Sequence, residues 1–250
     1  MSWLKALAAG LVLAVQIAVA PAVAADMPKG YPPATLPPPA YTPPPRAFDI
    51  YSGWYVRGDL GYGWGRLNDV QSAPGFTDPT NNKLGGAPTG AVGVGIKRDW
   101  LRTDLTADYL SDMKYQGTVA APNDVTAKIS AWTALFNGYL DLGSWYRVTP
   151  YIGGGVGAAR LRISDFQSTA PTPVVAGSSN AQWNFAWAAM AGVGFVVAPN
   201  MIADVGYRYL NLGDIKTAAA ASGTMTFKNV AAHEVRVGLR WSFDDLPAVR

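Results

Sequence analysis

The sequence predicts an all-β protein, a closed eight-stranded antiparallel transmembrane β-barrel with short periplasmic turns and four long extracellular loops. Three observations carry that prediction. The closing stretch Val230 to Phe243, V-A-A-H-E-V-R-V-G-L-R-W-S-F, sets His233, Val235, Val237, Leu239, Trp241 and Phe243 against Glu234, Arg236, Arg240 and Ser242 around Gly238. Alternate residues of a strand point to opposite faces, so one face is apolar and the other charged. Charges recur in this way on several strands, as though facing one another, while the apolar faces end in aromatics, which fits a barrel that is apolar toward lipid and polar toward its lumen. Finally, long and short connections alternate along the chain.

Composition bounds the reading. The chain has 250 residues, 15% of them charged and 49% hydrophobic, with 27 glycines and 9 tryptophans. Low charge with many glycines and aromatics suits a β protein in lipid. There is no cysteine, which removes a disulfide framework, a thiolate metal site and a lipidated N-terminus. The net charge of +3 is small and spread along the chain, so there is no electrostatic footprint for nucleic acid.

Residues 1–24 read as a signal peptide. A basic start with Lys5 leads into an apolar run from Ala6 to Ala20, which at about 15 residues is shorter than the roughly 20 a membrane helix needs. Ala22-Val23-Ala24 offers small residues for cleavage. Residues 25–47 are a Pro-rich periplasmic linker, with triplets at Pro37 to Pro39 and Pro43 to Pro45. Proline lacks the N–H and fixes φ, so extended polyproline II is expected there, an inert spacer or a tether to the cell wall. Residues 48–243 are the barrel, and residues 244–250 a C-terminal tail.

The first strand, Gly53 to Leu67, places Trp54, Val56, Leu60, Tyr62 and Trp64 opposite Arg57, Asp59, Gly61 and Gly63. Trp54 and Trp64 are ten residues apart, within the roughly 9 to 11 with which a tilted strand crosses a bilayer. A loop from Asn68 to Pro88 leads to the second strand, Thr89 to Lys97, with Val92, Val94 and Ile96 on one face. In the third, Leu101, Thr103, Leu105, Ala107 and Tyr109 alternate with Arg102, Asp104, Thr106 and Asp108. After a loop from Leu110 to Val125, the fourth strand, Ala127 to Leu142, sets Trp132, Phe136, Leu140 and Leu142 against Asn137, Tyr139 and Asp141. The fifth, Val148 to Ile163, is out of phase with itself, because Arg160 and Arg162 share parity with Val148, Ile152 and Val156. A β-bulge among Gly153 to Gly157 would restore the phase and turn both arginines inward. A third loop, Ser164 to Gln182, precedes the sixth strand, Trp183 to Val197, and a tight turn leads to the seventh, Met201 to Leu212, with Asp204 and Arg208 on its polar face. The fourth loop reaches Asn229. Both termini are then periplasmic.

The lumen-facing set is Arg57, Asp59, Arg102, Asp104, Asp108, Asp141, Asp204, Arg208, Glu234, Arg236 and Arg240. An eight-stranded barrel leaves a lumen just wide enough for side chains to fill, so these charges are expected to cross-link and plug it. Trp54, Trp100, Trp145 and Trp241 fall at periplasmic strand ends and Trp64, Trp132 and Trp183 near the outer rim, which predicts two aromatic girdles. Closure should pair the last strand with the first, bringing Glu234, Arg236 and Arg240 toward Arg57 and Asp59.

The chain resembles the small eight-stranded outer-membrane barrels of the opacity/OmpA-like superfamily, especially bacterial surface antigens near its own mass of 26.5 kDa. The resemblance rests on N-G-Y-L-D-L at Asn137, T-P-Y-I-G-G-G-V-G at Thr149, G-Y-R-Y-L-N-L-G at Gly206 and the closing H-E-V-R-V-G-L-R-W-S-F. It implies an outer-membrane location, outer-membrane lipid and the barrel assembly machinery as partners, and an assembly signal carried by Gly238, Trp241 and Phe243. Members commonly end on the aromatic, whereas here Asp244 to Arg250 follow.

The expected role is structural and non-enzymatic, supporting the envelope and presenting four loops. A loop-mediated adhesin for a host or surface ligand and a narrow small-solute channel are the alternatives. His233, the only histidine, lies on the apolar face near the outer rim. A lipid A deacylase of similar barrel size uses a lipid-facing His and Ser two residues apart, but here the second position is Val235. Haem or metal capture, which the resemblance raises, would have to draw on Tyr115, Met225 or loop carboxylates, which the sequence does not organise. No cofactor is expected.

Overall fold

In a computed structural model of the chain, residues 53–72, 78–120, 123–168, 180–217 and 225–243 are described. The segments expected to be a signal peptide, a Pro-rich linker and a C-terminal tail lie outside them. Every helix or strand element among the described residues is a strand: β1 (Gly53–Arg66), β2 (Asp69–Gln71), β3 (Thr80–Leu84), β4 (Gly86–Arg98), β5 (Leu101–Ala120), β6 (Asn123–Asp141), β7 (Val148–Ser168), β8 (Asn180–Ala198), β9 (Met201–Lys216) and β10 (Thr226–Ser242). Eight of them form the barrel in the order β1-β4-β5-β6-β7-β8-β9-β10, all antiparallel. Pairing of β10 with β1, from Tyr55↔Ser242 to Arg66↔Ala231, closes the sheet and removes both edges. The short strands β2 and β3 add to β10 and β5 on the extracellular side.

Alternation decides which face meets lipid. Trp132, Phe136, Trp187 and Leu239 point outward, while Arg57 and Asp59 of β1, Arg102, Asp104 and Asp108 of β5, Asp204 and Arg208 of β9, and Glu234, Arg236 and Arg240 of β10 point inward and are buried or nearly so. Leu60, 75% exposed, shows how open the apolar face is. A soluble barrel with an apolar ligand cavity requires the opposite orientation. On β1 the apolar band runs from Trp54 to Trp64, about 33 Å along the strand, which at a tilt of about 40° spans roughly 25 Å of membrane.

The strands run further than their sequence limits. Much of the segment expected as the second loop is ladder, since β5 continues to Ala120 and β6 begins at Asn123. The expected first loop contains β2 and β3, β7 reaches Ser168, β8 begins at Asn180, β9 reaches Lys216 and β10 begins at Thr226. Above the membrane the outward face is polar, as at Asp112, Lys114 and Gln116 on β5, and the aromatic pattern that marks a spanning strand is gone. The inner face nevertheless remains apolar, and this keeps the ladder intact.

β7 corrects a second expectation. Its pairing with β6 runs without a shift from Tyr151↔Asp141 to Ile163↔Ile129, so no bulge lies among the glycines. Ala159, Leu161 and Ile163 face inward and Arg160 and Arg162 face outward. Register shifts occur higher, where strands leave the membrane: between Leu110 and Met113 on β5, between Thr126 and Lys128 opposite β7, and around Asn229 on β10. Asp165 (φ 52) and Asn229 (φ 51) take the left-handed conformation at two of these, which Asp and Asn tolerate better than most side chains. Asn229 lets Phe227 and Val230 both face inward although their parity differs.

Candidate functional site: a filled lumen

All eleven charged residues assigned to the lumen lie inside the barrel, joined by a twelfth, Lys97 of β4. Lys97 follows Gly93 and Gly95 on the face opposite Val92, Val94 and Ile96, so its parity signals its direction. It reads as a strand end only because the two inward positions before it are glycine. With Lys97, six cations face six carboxylates.

Toward the periplasm, Lys97 Nζ and Arg102 Nη2 both reach Asp141, at 2.6 and 3.4 Å. The guanidinium of Arg102, fully buried, lies 4.3 Å from the ring centre of Tyr139 and 4.8 Å from that of Tyr151, so cation–π contact replaces much of its lost hydration. Arg240 donates through Nε and Nη2 to both oxygens of Asp204. A continuous chain occupies the middle. Arg57 donates to both oxygens of Asp59 and, at 3.0 Å, to Asp104, which also accepts from Tyr55 and Asn137. Arg236 joins Asp59 (3.9 Å) to Asp108 (3.0 Å), and Arg208 joins Asp108 to Glu234, both at 2.7 Å.

Closure sets Arg240 directly across from Arg57 and brings Arg236 into an ion pair with Asp59. Glu234 and Arg240 form their ion pairs with Arg208 and Asp204 of β9, because Arg208 stands directly beside Glu234 and Asp204 lies two positions along the β9–β10 ladder from Arg240, on the same face. Glycines on the inner face provide the space. A Cβ at Gly238 would overlap Asp59 Oδ1, and one at Gly155 would overlap Asn137 Oδ1. A cavity beside Arg57, Asp59 and Arg236 measures about 20 Å³, room for about one water.

Sequence reasoning missed the next layer. Above the charges the lumen is filled by an apolar core that includes Leu110, Met113, Ile129, Leu161, Ile163, Leu212, Ile215 and Phe227. Tyr115 and Met225, to which a loop metal site would turn, are buried in it, and Tyr115 Oη donates to Asn82 Oδ1. Burial pushes the Tyr115 phenol well above its usual value, so it remains the donor. The signal was present as inward apolar parity in segments that read as loops.

Outside, Trp54, Trp100, Trp145 and Trp241 ring the periplasmic end and Trp64, Trp132 and Trp183 the outer end, all exposed. His233 pairs across β1 with Trp64 and across β9 with Tyr209, and its Nδ1 is hydrogen-bonded to Tyr207 Oη. Phe243 is exposed and its backbone N–H donates to Trp54 O at 3.0 Å.

A closed antiparallel barrel with a lipid-facing apolar band between two aromatic rings and a charged, packed interior defines an outer-membrane β-barrel protein. The chain belongs to the outer membrane protein beta-barrel domain family, whose profile matches residues 39–243. An uncharacterized protein of Brucella suis biovar 1 is 30% identical over 256 positions, covering 82% of this chain and 89% of that protein. A Rickettsia prowazekii protein whose name proposes an adhesin is 25% identical, covering 77% and 88%. The outer membrane protein AlkL, determined by solid-state NMR in lipid bilayers, shares the fold at TM-score 0.50 with 14% identity, over 90% of this chain and all of that one. The protein is accordingly located in the outer membrane, in contact with its lipid.

Proposed function

We propose that this protein is a non-enzymatic surface barrel whose lumen is closed, and that it contributes to envelope integrity and presents its extracellular strand extensions to the outside. The supporting observation is the double filling of the lumen, charges below and apolar side chains above, with a space of about 20 Å³ beside Arg57 and Arg236. A route for solutes would have to break both layers. Single-channel recording of the reconstituted protein is the test, with no stable conductance expected; a reproducible conductance in independent bilayers would sink the reading in favour of a narrow channel.

A second reading, recognition of a surface ligand by the extracellular connections, is supported by the similarity to the Rickettsia protein. Replacing residues 169–179 with a short Gly-Ser link should leave the barrel folded and, on this reading, reduce cell attachment. Attachment unchanged by such replacement of each connection in turn would exclude it. The assembly machinery is the partner expected to read Gly238, Trp241 and Phe243, and attachment to the cell wall through residues 25–47 belongs to the same proposal.

A further inference from the structure

We propose that Arg160 and Arg162 form a binding site for the phosphate of an outer-leaflet lipid headgroup on the outside of the barrel. The two arginines are the outward-facing ones of β7, and they stand where the lipid-facing band ends. Arg160 is paired with Trp132 on one side and Trp183 on the other, both in the outer aromatic ring; Arg162 is paired one step higher with Ser130 and Ala181. This is headgroup depth, where an outward arginine costs far less than at the midplane.

Neither guanidinium makes an ion pair with a carboxylate among the described residues, in contrast to the six cations inside. The interior is balanced without them, so they have no task in the lumen. Arg160 lies 5.9 Å from the ring centre of Trp183, which holds it against the wall. The pair lines an open groove of about 370 Å³ with Tyr109, Ser130, Trp132 and Asn180. Two planar forks with free donors, a hydroxyl and an amide at the lipid–water boundary match the oxygens of a phosphate, and the aromatic floor matches the first carbons beneath it. Alternation along the strand puts both arginines on one face, two residues apart, so one headgroup can engage both.

Native mass spectrometry of the full chain in non-ionic detergent, titrated with diphosphoryl lipid A or with the same lipid after phosphate removal, tests this. The phosphorylated lipid should bind at least about tenfold more tightly than the dephosphorylated one, and the double variant Arg160→Gln/Arg162→Gln should lose that advantage. Arg160→Lys/Arg162→Lys, which keeps charge without the fork, should fall between. Arg66→Gln, outward on β1 and four strands from β7 in either direction, should bind as the wild type does. Heat-dependent gel mobility reports that each variant is folded. Equal binding of the two lipids, undiminished binding by the folded glutamine variant, or the same loss in Arg66→Gln would overturn the site. Displacement of the lipid by millimolar inorganic phosphate would overturn the lipid as its occupant and leave a soluble anion.

Discussion

Arg240 and Asp204 form an ion pair that is nearly self-contained, with both guanidinium donors on both carboxylate oxygens inside the barrel. Removing one partner leaves the other charge buried and alone, so Arg240→Met should destabilise the barrel by about 3 to 5 kcal/mol. Arg240→Met combined with Asp204→Leu should recover most of that loss, because the stranded charge is gone. Equilibrium unfolding in urea with lipid or detergent present measures both. A double variant as unstable as the single would mean that the pair contributes attraction beyond its desolvation. Glycines give a second contrast. Gly58 faces open space and Gly238 faces Asp59 Oδ1, so Gly58→Ala should be neutral or slightly stabilising, whereas Gly238→Ala should lower the unfolding midpoint by displacing Asp59 from Arg57.

At the scale of the element, the bulges control which side of a strand stays inside once lipid no longer selects it. Asp165 has φ 52 and a 2.6 Å ion pair with Lys128 in the extracellular extension. The hydrogen bond from Lys128 to Asp165 holds the ammonium above its usual value, so the pair's contribution is complete below the unfolded lysine value and fades as pH rises through the higher folded value. Both groups are largely in water, and exposed pairs contribute little. Asp165→Asn, which keeps the tolerance for left-handed backbone, should leave the thermal midpoint unchanged. Asp165→Val, which does not, should expose the upper parts of β6 and β7 to protease while the membrane part stays resistant. The membrane part of each strand was legible in the sequence because lipid demands strict alternation over about ten residues, as from Trp54 to Trp64 and from His233 to Phe243. The extensions were not, because Ser111-Asp112, Gly213-Asp214 and Lys228-Asn229 each shift the phase and look like loop composition. In β7 the composition misleads in the other direction: Arg160 and Arg162 suggest a bulge that would turn them inward, whereas the ladder keeps its phase and both face outward. Lys97 went unread because two inward glycines hid its face.

The whole molecule must also insert, and here β10 carries two separate demands on its two faces. Its inner face gives Glu234, Arg236 and Arg240 to the lumen and keeps Gly238 clear for Asp59. Its outer face runs through Val235, Val237 and Leu239 to Trp241 and Phe243, all exposed to lipid. The backbone N–H of Phe243 still bonds to Trp54 O of β1, so the closing seam includes it. If the assembly machinery reads the apolar end of β10, then an aromatic at the seam matters and the sequence after it does not. Phe243→Asp should lower the amount of folded barrel in the outer membrane severalfold. Deletion of Asp244 to Arg250 should leave that amount unchanged, measured by heat-dependent gel mobility of isolated outer membranes. The purified Phe243→Asp chain should still refold in detergent, because the lumen network and the apolar core above it are intact. Failure of that refolding would place the role of Phe243 in the barrel's stability, while normal insertion of Phe243→Asp in cells would remove it from the signal.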